Sequence, residues 1–205
     1  MSAPRVGVLA LQGGVREHVR LLEELGARTV PLRTPSDLLG PDGLRVDALV
    51  LPGGESSTID RLLRIFGLFE PLQAAIGDGL PTLGTCAGLI LLAREVLDPA
   101  PGQRSLGVLD VSVRRNAFGS QVDSAELDLQ TTDGPVRVAF IRAPEVVAVG
   151  PGVDVLARRG EAIVAVRSGE LTGIAFHPEL TGEPLFHRRL LAAASGATAS
   201  VRSVA

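Results

Sequence analysis

The sequence predicts an α/β protein: one domain with a central, mostly parallel sheet flanked by helices. Three observations carry that expectation. Strand-length apolar runs alternate with amphipathic helical segments through the first half of the chain. The runs end in glycine-rich turns, and 205 residues with 45% hydrophobic content suit one core rather than two. Arg5 to Leu11 reads as a buried strand, followed by a helix over Val15 to Leu25 with Val15, Val19, Leu22 and Leu25 on one face and Gly26 as its stop. Arg28 to Leu32 is a second strand. Val46 to Leu51, almost continuously apolar, is a third of the kind covered on both faces in a parallel sheet. Pro52-Gly53-Gly54 breaks it, and Ser56 or Ser57 is placed to cap a helix that starts near Thr58 and turns Ile59, Leu62, Leu63 and Phe66 inward. A helix over Glu70 to Ile76 leads to the strand Pro81 to Thr85, which runs through Cys86 into a stretch of helical composition from Ala87 to Leu97.

Beyond Gln103 the pattern changes to short β-like runs: Gly107 to Arg114, Ala125 to Gln130, Val136 to Ile141, Val153 to Ala157, Ala162 to Arg167 and Leu171 to Phe176. Turn signals at Asp133-Gly134, Pro151-Gly152 and Gly169 separate several of them. Pro184 to Ala194 reads as a final helix. The domain is expected to occupy residues 1–195, with the small residues of 196–205 forming a flexible tail.

Composition removes several classes of function. A net charge of −3 gives no uniform basic field for nucleic acid or anionic membranes, and 3% aromatic residues leave few base-stacking platforms. All 20 basic side chains are Arg, which excludes a Lys Schiff base, a Ser-Lys dyad and the lysine-bearing phosphate loop. A single cysteine forms no intrachain disulfide and no Cys-rich zinc site. The N-terminus lacks the basic flank and apolar core of a secretory signal, and no run approaches a membrane span, so a cytoplasmic enzyme or binding domain is expected.

The chemistry concentrates at one cysteine. Gly84-Thr85-Cys86-Ala87-Gly88 is a G-x-C-x-G version of the nucleophile elbow, a sharp strand-to-helix turn that presents its central side chain at the end of a sheet. The alternative is a buried structural thiol. A thiolate needs a histidine. His18 lies mid-helix beside Glu17 and reads as solvated or cap-facing; His187, beside Arg188 and Arg189, reads as part of a cationic surface. His177 instead ends a strand and is followed by Pro178 and Glu179; in extended backbone Glu179 faces the same side and can receive the imidazole N–H. Pro52 to Ser56 supplies glycine amides, so Gly54 N–H can join Ala87 N–H in an oxyanion hole, although the segment also reads as a plain glycine turn.

Together, G-T-C-A-G, P-G-G-E-S and F-H-P-E-L-T resemble class I glutamine amidotransferases, glutaminases with a Cys-His-Glu triad on a flavodoxin-like fold. Leu11 to His18, Arg115 to Gly119 and Phe140 to Pro144 narrow the resemblance to the glutaminase subunits of pyridoxal 5′-phosphate synthase, over roughly residues 5 to 190. The resemblance implies Cys86 as nucleophile with His177 and Glu179 as its relay. It implies Gly54, Glu55, Ser56, Arg115, Ile141 and Arg142 as contacts to glutamine, for which surface ion pairing is the plain alternative at the two arginines. The family reads R-N-x-F-G-R-Q where this chain has Ser120 in place of the second Arg. Gln12 and Arg16-Glu17-His18 would lie toward a partner. That partner would be a separate (β/α)8-barrel synthase subunit in a large hetero-oligomer, with a backbone rearrangement near Gly53-Gly54 as the switch that completes the oxyanion hole. No metal or cofactor is implied. Two rival classes remain: a γ-glutamyl peptidase of related fold, and a non-catalytic binding subunit.

Overall fold

A computed structural model describes residues 3–117 and 125–202. The apolar runs of the first half become strands, and the segments between them close back as helices: β1 (Arg5–Leu9), α1 (Val15–Glu24), β2 (Arg28–Leu32), α2 (Pro35–Leu38), β3 (Leu39–Gly40), β4 (Gly43–Leu44), β5 (Ala48–Leu51), α3 (Ser56–Ile65), α4 (Phe69–Gly77), β6 (Thr82–Thr85) and α5 (Ala87–Leu92). The second half contributes β7 (Ala93–Val96), β8 (Leu109–Arg114), β9 (Ala125–Thr131), β10 (Gly134–Phe140), β11 (Glu145–Val149), β12 (Asp154–Arg159), β13 (Ala162–Ser168), β14 (Leu171–Ile174), α6 (Pro178–Thr181) and α7 (Leu185–Arg202).

The centre of the sheet is wholly parallel, in the order β2-β1-β5-β6-β14. That is the flavodoxin-like order, with a switch point between β1 and β5 outside which a cleft opens. β5 and β6 are buried along their whole length, which is why β5 reads as an unbroken apolar run; β6 instead buries Thr82 and Thr85. Beyond β14 the sheet continues antiparallel through β13, β12, β9 and β10, while β11 joins β13 to β8 and β8 pairs with β7. α5 lies against β5, β6 and β14, and α7 against β5 and β6.

Several elements differ from the sequence expectation. Glu55, not Ser56 or Ser57, caps α3: its carboxylate accepts the N–H of Ser57, and the helix starts at Ser56. The helical stretch after Cys86 stops at Leu92, because every residue of α5 is buried whereas Arg94 and Glu95 must reach solvent; in β7 they do. The last helix, expected to end at Ala194, runs on to Arg202. His177, Pro178 and Glu179 do not form extended backbone. His177 is the N-cap of the short helix α6, with Pro178 in its first turn.

Two features fix the chain around His177. Phe176 packs between Phe140 and Phe186, with ring centroids 5.5 and 5.6 Å away. The His177 backbone N–H donates to the Ala139 carbonyl of β10 at 2.8 Å. The histidine therefore leaves the sheet from an anchored position.

Candidate active site

The turns after β1, β5, β6 and β14 meet at the carboxyl ends of the parallel strands and enclose a cleft of about 540 Å³. Cys86 enters it from the β6–α5 turn at φ 48°, ψ −101°, a backbone conformation that costs a non-glycine residue of order 1–3 kcal/mol. The glycines flanking it serve close packing. A Cβ on Gly84 would lie 2.7 Å from the Gly88 carbonyl carbon, and one on Gly88 would strike the Leu51 carbonyl oxygen. They let α5 pack against β6 and β5, and the strain falls on the cysteine itself.

Oε1 of Glu179 lies 2.7 Å from Nδ1 of His177, which leaves Nε2 of the imidazole for Cys86. Burial works against a charge on His177. Hydrogen bonds to Cys86 and Glu179, with the charges those groups carry, outweigh it and push its pKa up to about 10. Burial likewise opposes charge on Glu179, but His18 and His177 hold its carboxyl below the ordinary range. A thiolate beside an imidazolium whose other N–H is fixed by a carboxylate can attack an acyl carbon and then donate a proton to the leaving group.

Gly53 closes the other wall. A Cβ there would collide with Cε1 of the His177 ring and lie 3.3 Å from Cβ of Cys86. Its N–H donates to Oγ1 of Thr85 at 2.9 Å, and its carbonyl accepts the N–H of Gly14 at 3.0 Å. Gly54 follows directly. Ala87, buried behind Cys86, provides the first amide of α5, which has no acceptor within its own helix.

Gly54, Glu55, Ser56, Arg115, Ile141 and Arg142 all line the same cleft as Cys86. Arg115 donates to Oε1 of Glu55 and to Oε1 of Gln103, each at 2.8 Å. Ser56 is buried and accepts from Nε2 of Gln103 at 3.0 Å. Arg142 is exposed, adopts φ 45° and makes no ion pair with a described residue. Ser120 lies outside the described residues.

Sequence reasoning placed two histidines wrongly. His18 and His187 are not at the surface: both are 0% exposed, and Nδ1 of His18 lies 2.8 Å from Nε2 of His187. His18 sits one turn from Val15 and Leu22 on the inner face of α1. His187 stands three and seven residues before the buried Leu190 and Ala194, and its arginine neighbours point elsewhere around the helix. The spacing was the signal. Gln12, which accepts the Glu55 N–H through Oε1 at 2.8 Å, faces the glycine loop; Thr85, inside the elbow motif but given no role there, supports Gly53, and Gln103 emerges as a support that no motif had marked.

The fold and the cleft define a flavodoxin-like α/β protein whose cysteine, histidine and glutamate meet at the strand carboxyl ends. The chain belongs to the SNO glutamine amidotransferase family, whose model matches residues 8–191. It is 59% identical over 191 residues to the pyridoxal 5′-phosphate synthase subunit PdxT of Parafrankia sp. (strain EAN1pec), covering 92% of each chain. It is 57% identical over 194 residues to the PdxT of Clavibacter sepedonicus, covering 93% of this chain and 90% of that one. A crystal structure of a glutamine amidotransferase superposes with a TM-score of 0.84 at 45% identity, covering 93% of this chain and 98% of that chain. PurLQS from Thermotoga maritima, at TM-score 0.64 and 18% identity over 98% of this chain and 99% of that chain, shares the fold.

Proposed function

We propose that this chain hydrolyses L-glutamine to L-glutamate and ammonia as the glutaminase subunit of a pyridoxal 5′-phosphate synthase. The observation that carries the reading is the strained Cys86 beside the His177–Glu179 pair, with Gly53 packed against both. The identity to PdxT subunits supports the substrate and the pathway over the peptidase and non-catalytic alternatives.

In this mechanism Sγ of Cys86 attacks the side-chain amide carbon of glutamine, and the N–H groups of Gly54 and Ala87 receive the developing oxyanion. The His177 imidazolium gives its proton to the amide nitrogen, the C–N bond breaks, and ammonia departs from a γ-glutamyl thioester. Neutral His177 then takes a proton from water, whose oxygen adds to the thioester carbonyl and expels the thiolate as glutamate forms. Glu179 holds the imidazole tautomer throughout. Arg142 and Arg115 are the cations for the substrate α-carboxylate, Glu55 is the carboxylate for its ammonium, and Gly54, Ser56 and Ile141 shape the pocket around them.

Ammonia released into water at neutral pH becomes mostly ammonium, which is not a nucleophile. The product is therefore handed under cover to a separate synthase subunit, a (β/α)8 barrel within a hetero-oligomer, in the cytoplasm. The test is glutamate release from glutamine, with and without the synthase subunit, for the wild type and Cys86→Ala. Release that requires Cys86 and rises with the synthase subunit is expected. Equal release from Cys86→Ala overturns the reading.

A further inference from the structure

α1 and α7 each send a histidine into the interior behind the cleft, and the proposed reaction uses neither. Beyond its 2.8 Å contact with His187, His18 turns Nε2 toward the reacting groups: it lies 3.2 Å from Oγ1 of Thr85 and 3.5 Å from Oε1 of Glu179. That Glu179 oxygen is the one bonded to His177, and that Thr85 oxygen is the one that accepts the Gly53 N–H. One imidazole thus touches both walls of the site, the carboxylate behind the base and the hydroxyl behind the glycine loop.

The neighbours assign the protons. A carboxylate oxygen at 3.5 Å repels a lone pair and favours N–H on Nε2 of His18. Nδ1 of His18 is then an acceptor, so Nε2 of His187 is the donor. Nδ1 of His187 is left as a bare lone pair, and it is a buried atom without a hydrogen-bond partner among the described residues. Burial pushes both histidines down, His187 to about 3, and so favours their neutral forms. A core has no need of such a pair, since apolar side chains of similar volume fill the space without desolvating imidazoles.

We propose that His18 and His187 are positioning residues of the glutaminase site: His187 fixes the tautomer of His18, and His18 holds Glu179 and, through Thr85, the Gly53 loop in register with Cys86. The proposal rests on the reading of Cys86 and His177 as nucleophile and base. It acts on the geometry of the reacting groups and leaves the glutamine contacts alone, so its effect belongs to kcat.

The test is steady-state glutaminase kinetics of the full chain with the synthase subunit, for His187→Phe and His187→Gln, alongside the wild type and Cys86→Ala. His187→Phe keeps a ring but loses the donor, and kcat is expected to fall about tenfold with KM for glutamine unchanged. His187→Gln restores an N–H near the position of Nε2 and regains most of the loss, which packing alone would not predict. Wild-type kcat in a folded His187→Phe, or a rise in KM alone, overturns the proposal. If His187→Phe fails to fold, Thr85→Val reads the same network through Gly53, and unchanged kcat there is equally fatal. An inactive wild type, or an active Cys86→Ala, would instead count against the glutaminase reading itself.

Discussion

Nδ1 of His177 and Oε1 of Glu179 lie 2.7 Å apart across the first turn of α6, with Pro178 between them. The proline fixes φ at the first helical position and has no N–H to satisfy, so the turn forms without a competing backbone donor. The Glu179 side chain reaches back to the N-cap histidine and orients it. Glu179→Gln keeps the shape and removes the charge, and kcat is expected to fall about a hundredfold with KM for glutamine little changed. Steady-state kinetics with the synthase subunit check it; a variant with wild-type kcat contradicts the role given to Glu179.

Two histidines make stability depend on pH in opposite directions. His177 is raised from 6.5 to about 10, so its stabilising contribution is complete below pH 6.5 and is lost as pH rises toward about 10. His187 is lowered from 6.5 to about 3, so the unfolded chain takes up a proton that the folded chain refuses, and stability falls as pH drops from 6.5 toward about 3. Thermal unfolding across this range is expected to show both arms. His177→Gln reduces the slope of the alkaline arm and His187→Gln that of the acid arm, to which His18 and Glu179, both lowered in the folded chain, also contribute; unchanged slopes would remove the electrostatic basis of these assignments.

Gly53 has no room for a methyl group, because its Cβ would enter the His177 ring. Gly53→Ala is expected to cut kcat by about a hundredfold through displacement of the base. Gly77, at the end of α4 with nothing within 4 Å of the corresponding position, is the control. Gly77→Ala is expected to raise stability by about 0.5 kcal/mol and leave turnover alone. Parallel kinetics and thermal melts of the two variants separate a local collision from a general glycine effect.

Arg115 is already committed to Glu55 and Gln103, whereas Arg142 makes no ion pair with a described residue. Arg142→Ala is therefore expected to raise KM for glutamine at least about tenfold, the loss of one charge-assisted contact, with a smaller change in kcat. An unchanged KM would remove Arg142 from the substrate contacts.

The parallel half of the fold was legible because strand-length apolar runs such as β1 and β5 alternate with amphipathic helices, and glycines mark the turns at Gly13-Gly14, Gly53-Gly54 and around Cys86. β11 was not. Val147 and Val149 are exposed at 37% and 38% beside the buried Val146, so the run has no clear alternation, and its strand character comes from pairing with β8 and β13. The end of α5 depended on where Arg94 and Glu95 could find solvent, a tertiary fact. At the site, the elbow cysteine and the H-P-E tripeptide stand out by residue type, although the helical turn at Glu179 does not. His18 and His187 were hidden by charged sequence neighbours that a helix points away from them, and Gln103 by a loop with no periodic pattern to read.

Mass spectrometry of the intact chain, quenched in acid during glutamine turnover with the synthase subunit present, tests the chemistry most directly. The mechanism predicts a mass increase of one γ-glutamyl group, localised to the peptide that carries Cys86 and absent from Cys86→Ala. Sustained ammonia release from a chain whose Cys86 stays unmodified, with the adduct on another residue, would contradict it.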